Sequence, residues 1–557
     1  MTDMNTTPVA LSLSAHMMTM PLTISSLLVH AARHSGDTEI VSKRVEGDLH
    51  RYTYRDAELR SRKLAQAIER LGCAPGERIG TLAWNGYRHF ELYYGSSGSR
   101  RVLHTINPRL FPEQIAWIIN DAQDRVLCFD LNFLPLVEKL APHLPGVRHF
   151  VLMTDRAHMP ASTTIPALLC YEELVEAENG DWAWPEFDEN EAACICYTSG
   201  TTGHPKGAVY SHRSTVLHAL ASALPDAMAS SSADTILPVV PMFHVNAWGL
   251  PYSAPLVGAR LVFPGPHLDG KSLHALFESE RVTFSAGVPT IWLGVINHMK
   301  QNGLRLSTLK RTVIGGSACP PAMMRTLEDD FGVEVIHAWG MTELSPLGTL
   351  SRLKAKHRDL PPEQQHRLLE KQGRVVYGID MEIIGASGEP QPWDGRSTGD
   401  LVVRGHWVVS GYLNRDDSPL QQIGGKAWFP TGDVASIDAD GFMLITDRSK
   451  DVIKSGGEWI SSIELENIAM AHPDVLEAAA IACHHPKWDE RPLLVVVRKP
   501  GRELSREQML DFYEGRIAKW QIPDDVVFVD EIPHTATGKM LKARLREMFR
   551  EHRLPGV

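Results

Sequence analysis

From about residue 20 to 340, short apolar runs alternate with longer amphipathic stretches, and this alternation limits the architectures open to the chain. ERIGTLAW (77–84), DRVLCFD (124–130), HFVLM (149–153) and AACICYTSG (192–200) read as buried strands. RDAELRSRKLAQAIERLG (55–72) sets Leu59, Leu64, Ile68 and Leu71 at roughly helical spacing. Strands alternating with helices argue for α/β layers built on parallel sheets. The texture changes after residue 373, where VVYGIDMEII, GDLVVRG and KAWFPTGD are short and β-rich, so 373–446 reads as a small β subdomain. Beyond DRSKD (447–451) a compact unit begins. Ser461 and Glu464 are spaced as a capping box before an apolar run. VLEAAAIAC, LLVVVRK, a helix from Ser505 to about Lys519 and DVVFVDEIP then alternate β and α.

Composition sets the broad class. At ~150 residues per domain, 557 residues predict three or four structural units. Lys and Arg number 56 against 67 Asp and Glu, a net charge of −11, which argues against nucleic-acid binding. With 43% hydrophobic and 22% charged residues, the chain reads as soluble and globular. Its seven cysteines are an odd number without a CxxC pair, which fits a reducing cytoplasm better than a disulfide framework. MTDMNTTPVALSLSAHMM lacks the basic start and apolar core of a signal peptide. Thr235–Ala259 carries no Asp, Glu, Lys or Arg. Its four prolines spoil a spanning helix, so it is expected to be buried strand and loop.

The most informative segment is YTSGTTGHPKGAVYSH (197–212). Gly200 and Gly203 let the backbone turn its N–H groups inward as an anion nest. Thr198, Ser199, Thr201 and Thr202 add hydroxyls and Lys206 adds charge, a donor set that suits a polyphosphate. It is not a Walker A loop, which needs Gly-Lys-Ser/Thr in succession; here Pro205 precedes Lys206 and Gly207 follows it.

This stretch resembles the signature loop of the acyl-adenylate-forming superfamily, which includes acyl-CoA synthetases, luciferases and peptide-synthetase adenylation domains. The family pattern Thr-Ser-Gly-Ser/Thr-Thr-Gly-x-Pro-Lys-Gly is matched from Thr198 to Gly207. Four more motifs follow in the family's order, so the resemblance spans about 25–557. In HAWGMTE (337–343), Trp339 stands where the family usually has Tyr and keeps a face on which adenine could stack. Thr342 and Glu343 match the α-phosphate and Mg²⁺ positions, and a carboxylate is a hard oxygen ligand of the right kind. GGSACPP (315–321) resembles one wall of the adenine pocket, so the resemblance assigns Gly316, Ser317, Ala318, Ala338 and Gly340 to ATP binding. Asp433 in FPTGDVASID and Arg448 in DRSKD match ribose contacts, and Lys450 matches the hinge. Ser455, Gly456 and Gly457 resemble the turn that meets the pantetheine arm of coenzyme A. In PHTATGKMLK (533–542), Lys539 matches the lysine that bridges the carboxylate and the α-phosphate.

The acyl side of the resemblance rests on PMFHVNAWG (241–249), with His244 near the reacting carboxylate and Trp248 beside the acyl tunnel. Together with HPKWDERPL, these segments resemble one branch, which includes medium-chain fatty acyl-CoA synthetases and 3-methylmercaptopropionyl-CoA ligases. The fold implied is α/β. It has a large N-terminal domain (1–446) of two layered α/β sheet subdomains plus a small β-barrel-like subdomain. A hinge (447–451) leads to a small mobile α+β C-terminal domain (452–557). The activity implied is an acid–CoA ligase using ATP, Mg²⁺ and coenzyme A, cytoplasmic, without a membrane span, and a homodimer. Two other functions would use the same residues: adenylation with a carrier-protein thiol or an amine as acceptor, and non-catalytic nucleotide or acyl binding. Cys194 and Cys196 share a strand face and read as buried thiols. Arg100-Arg101 reads as a solvated pair.

Overall fold

The computed structural model describes residues 16–198, 205–385, 387–448, 450–455, 458–534 and 540–555. The apolar runs form strands where the sequence places them: Arg78–Leu82, Asp124–Asp130, His149–Met153 and Ala192–Tyr197. Among the described residues these belong to a seven-stranded sheet, in the order Leu169–Cys170, His149–Met153, Asp124–Asp130, Arg78–Leu82, Val102–Thr105, Ala192–Tyr197, Gly207–Ser211. Each neighbouring pair is parallel except the last. A nine-stranded sheet has a parallel centre of Glu334–Gly340, Arg311–Ile314, Phe284–Gly287, Thr235–Pro238, Arg260–Phe263 and Glu39–Lys43. Antiparallel strands flank it on both sides. Val102–Thr105 and Phe284–Gly287 are buried at every residue, as strands covered on both faces must be.

Helix Tyr54–Arg70 shows how the local sequence sets an element. Thr53 Oγ1 accepts the Asp56 N–H and Asp56 Oδ2 accepts the Thr53 N–H, a reciprocal cap at the first turn. Its buried face carries Ala57, Ser61, Leu64 and Ile68. Leu59, expected on the apolar stripe, is exposed at its edge, and Leu71 is the half-buried C-cap. Helix Tyr87–Gly98 is buried along its whole length.

A five-stranded antiparallel sheet follows: Ile379–Ile384, Thr398–Gly405, Lys426–Ile437 and Gln421–Ile423, with Met443–Arg448 also pairing on Lys426–Ile437. It is an open half-barrel. The C-terminal part pairs Val475–His485 with Asp489–Arg498 antiparallel, and Asp525–Phe528 joins Asp489–Arg498 in parallel. Its cores are drawn from residues between Ile453 and Leu554. Ser461 Oγ caps helix Ser462–Met470 by accepting the Glu464 N–H at 3.1 Å.

Three further expectations need correction. Thr235–Ala259 holds a strand as expected, but also helix Leu250–Val257 in place of loop. Pro251 falls in its first turn, where a missing N–H costs nothing, and Gly249 and Gly258 close both ends with positive φ. The helix expected from Ser505 to about Lys519 ends at Tyr513, because Glu514 turns extended and Gly515 takes a φ of 73°. Arg101 is not solvated. It is buried and donates to Cys73 O from two nitrogens and to Ser99 O from a third. Arg100, with φ 64°, turns outward to pair with Glu191 at 2.7 Å. Among the described residues no helix is long and apolar enough to cross a membrane.

The two arginines should separate in a stability test. Arg101→Ala strands buried carbonyls and is expected to cost roughly 2 kcal/mol, lowering the apparent thermal midpoint. Arg100→Ala removes an exposed pair and should barely move it.

Candidate active site

Parallel pairing sets where the site forms. The strands Thr235–Pro238, Phe284–Gly287, Arg311–Ile314 and Glu334–Gly340 run side by side, with Pro238 opposite Ala286 and Ile314 opposite His337. Their carboxyl ends therefore open on one edge of the sheet, where ligands of open α/β sheets bind. The loops leaving that edge carry His244 and Trp248, then Gly315–Ala318, then Thr342 and Glu343.

The first loop is strained. Val245, Asn246, Ala247 and Trp248 all have φ between 46° and 56°, and Gly249 follows at 79°. A left-handed turn costs a non-glycine residue ~1–2 kcal/mol, so the surroundings must hold it. Asn246 accepts from the thiols of Cys194 at 3.4 Å and Cys196 at 3.2 Å, and its amide donates to the Tyr252 hydroxyl at 3.3 Å. Asn85 donates to Pro238 O and Val240 O and accepts the Met242 N–H. A methyl at Gly249 would stand 2.7 Å from the His218 ring. That ring, its pKa pushed down to about 3 by burial, is neutral and accepts the Leu347 N–H. The two cysteines are thus the buried thiols expected, and they support the turn that presents Trp248.

Trp248 is buried, and its indole lies against Gly315 and Gly316: a side-chain carbon at 315 would be 3.4 Å from its Cη2. The same carbon would be 2.8 Å from Ala338 O, so the 315–318 loop needs glycine to lie this close to strand Glu334–Gly340. The structure thereby brings Trp248, Gly315, Gly316 and Ala338 together. Ser317 is exposed, and Gly316, Ala318 and Gly340 are half-buried. His244 is half-buried at the start of the strained turn.

Glu343 and Thr342, both 8% exposed, sit on a short helical turn beyond Gly340. Tyr210 donates its hydroxyl to Thr342 O at 2.6 Å, and the Val409 N–H reaches Glu343 O at 2.9 Å. Tyr412 donates its hydroxyl to Glu343 Oε1 at 2.9 Å, while Lys206 Nζ lies 4.9 Å from the centre of the same ring. Burial and the adjacent Glu343 carboxylate push the Tyr412 phenol upward, so it stays a donor. Strands Ala192–Tyr197 and Gly207–Ser211 are antiparallel, and Thr198 N donates to Lys206 O across their ends. The signature segment therefore joins two strands, and helix His212–Ala223 begins only afterwards. Ser199, Gly200, Thr201, Thr202 and Gly203 lie outside the described residues.

Asp433 and Arg448 face each other across neighbouring strands, with Arg448 Nε 2.8 Å from Asp433 Oδ1. Trp339 Nε1 donates to Asp433 Oδ2 at 3.0 Å. Ser455 lies on the C-terminal sheet and accepts from Arg491 at 3.1 Å, and Lys450 is exposed between the half-barrel and that sheet. Gly456, Gly457 and Lys539 lie outside the described residues. Sequence reasoning missed Tyr412, Tyr210 and Asn246. Tyr210 and Asn246 stand inside motif segments and Tyr412 outside them, but each meets a partner at least 50 positions away that the local sequence does not reveal.

Glu343, Tyr412, Lys206, Asp433, Arg448 and Trp339 thus form two linked clusters of charged and aromatic groups, and comparison with known proteins identifies the family. Residues 28–413 match the AMP-binding enzyme family and residues 464–539 the AMP-binding enzyme C-terminal domain. The chain belongs to the AMP-binding enzyme family. It is 55% identical to the 3-methylmercaptopropionyl-CoA ligase of Ruegeria lacuscaerulensis, over 96% of this chain and 98% of that one. It is 52% identical to the medium-chain-fatty-acid–CoA ligase of Ectopseudomonas oleovorans, over 96% and 97%. Its fold matches an anthranilate CoA ligase crystallised with anthranoyl-AMP, with a TM-score of 0.83 at 23% identity, covering 95% and 98% of the two chains.

Removing one hydroxyl tests the link at Glu343. Tyr412→Phe keeps the ring under Lys206 and deletes a hydrogen bond to a charged group. It should lower ATP-dependent pyrophosphate release about tenfold, with the melting midpoint little changed.

Proposed function

We propose that this protein is an ATP-dependent acid–CoA ligase that activates a short- or medium-chain fatty acid, or a 3-methylmercaptopropionate-like acid, as its adenylate and transfers the acyl group to coenzyme A. One observation supports the reading: Tyr412 bridges Glu343 and Lys206, setting a carboxylate and a cation on one ring as phosphate and metal binding would need. The relatives named above support the choice of acid.

In the first half-reaction a carboxylate oxygen attacks the α-phosphorus, and the bond to the bridging oxygen breaks to release pyrophosphate. Two anions must meet, so positioning and charge dominate. Thr198, Lys206 and the 199–203 segment hold the β- and γ-phosphates. Thr342 holds the α-phosphate, and Asp433 with Arg448 holds the ribose. Glu343 fits Mg²⁺, which binds through one or two carboxylates and keeps water and phosphate as its other ligands; the ion would neutralise phosphate charge there. Lys539 supplies the positive charge that lets carboxylate and phosphate meet. His244 and Trp248 orient the acid, with Trp248 setting the depth open to an apolar tail.

The division into 1–446, a hinge at 447–451 and 452–557 follows from this chemistry. A turn of the C-terminal domain about Lys450 withdraws Lys539 and delivers Ser455, Gly456 and Gly457 to the pantetheine arm. Such a hinge needs only a few φ/ψ changes. The thiol sulfur then attacks the acyl carbon, the C–O bond to AMP breaks, and the thiol proton passes to solvent. Free thiols at all seven cysteines fit a cytoplasmic enzyme. The family resemblance supports a homodimer.

Lys539→Ala is expected to abolish adenylate formation and to spare thioester formation from supplied acyl-AMP; equal loss of both would overturn its role. Against a carboxylate panel from acetate to palmitate, with 3-methylmercaptopropionate and benzoate, AMP and thioester should peak together between butanoate and decanoate. AMP without thioester would refute coenzyme A as the acceptor.

A further inference from the structure

Trp339 stands where an adenine-stacking ring is expected, yet its polar edge is committed elsewhere. The indole is 7% exposed and its N–H points to Asp433 Oδ2, while Arg448 holds the other oxygen. Asp433 is 2% exposed, and its own N–H is held by Thr431 Oγ1 at 3.1 Å. Among the described residues, a donor on each oxygen turns the carboxylate plane. The backbone makes this reach possible. The pairing of Glu334–Gly340 with Leu347–Leu350 slips between Trp339 and Gly340, a bulge of the kind that re-aims a side chain. Opposite the ring stands Gly348, where a methyl would come within 2.4 Å of Trp339 Cζ3.

We propose that Trp339 is a positioning residue that sets ribose recognition through Asp433, with Gly348 making room for the indole. The proposal deepens the ligase reading, since it takes Asp433 as the carboxylate that binds the ribose hydroxyls. A phenyl ring at 339 keeps an aromatic face and loses the donor, so the two roles can be separated.

The test is titration calorimetry of the full-length protein with AMP, 2′-deoxy-AMP and 3′-deoxy-AMP. Trp339→Phe should weaken AMP about tenfold, the effect of losing one hydrogen bond to a charged group, and weaken each deoxy nucleotide less, since each keeps only one of the two hydroxyls. Gly348→Ala, which displaces the indole without touching Asp433, should show the same pattern. In an Asp433→Ala background, Trp339→Phe should add little. Equal weakening of all three nucleotides, or full additivity with Asp433→Ala, overturns the proposal and assigns Trp339 to stacking. If Trp339→Phe does not fold, Gly348→Ala decides by the same criterion. A wild type that binds AMP and both deoxy nucleotides alike also overturns it. Ribose discrimination lost with Trp339→Phe, in a protein that forms no AMP from ATP with any acid, would uphold the proposal and refute the ligase reading.

Discussion

Parallel pairing in the nine-stranded sheet is the constraint on which the site depends. It aligns the carboxyl ends of Thr235–Pro238, Phe284–Gly287, Arg311–Ile314 and Glu334–Gly340 on one edge. Residues nearly a hundred positions apart, such as Trp248 and Glu343, then issue from the same edge of the sheet. The half-barrel adds the remaining side by docking Val409 and Tyr412 on Glu343 and Asp433 under Trp339.

That edge concentrates strain and buried polarity. Four non-glycine residues in a left-handed turn would not persist in isolation. They persist because Asn246, Asn85 and the packing of His218 on Gly249 leave no room for a relaxed backbone. A segment held this firmly presents Trp248 in one orientation against Gly315 and Gly316. The cysteines on strand Ala192–Tyr197 serve the same support.

Much of the site was legible because its chemistry is local in sequence. A glycine- and hydroxyl-rich segment ending in Lys206 reads as a phosphate loop, and Thr342-Glu343 reads as a phosphate and metal pair. Asp433 and Arg448 were each recognised by motif, and the register pairs them directly. Tyr412 was not legible: its value lies in reaching Glu343, 69 positions away. Trp339 was read for its face, and the structure adds its edge, which depends on a bulge and on the bare Gly348 backbone.

The sequence by itself determined the α/β class, the strand positions and the chemical inventory, because hydrophobic period and donor-rich motifs are properties of neighbouring residues. It misjudged Arg101, Leu59, the Leu250–Val257 helix and the end of the helix after Ser505, where a solvated pair, an apolar stripe, a loop and a longer helix were expected. Those outcomes turn on which carbonyls, faces and backbone angles the assembled layers leave open. Only tertiary structure decided that an indole N–H and a phenol O–H, unremarkable in the chain, would meet Asp433 and Glu343, because hydrogen bonds over such separations exist only once the sheet edge and the half-barrel are packed together.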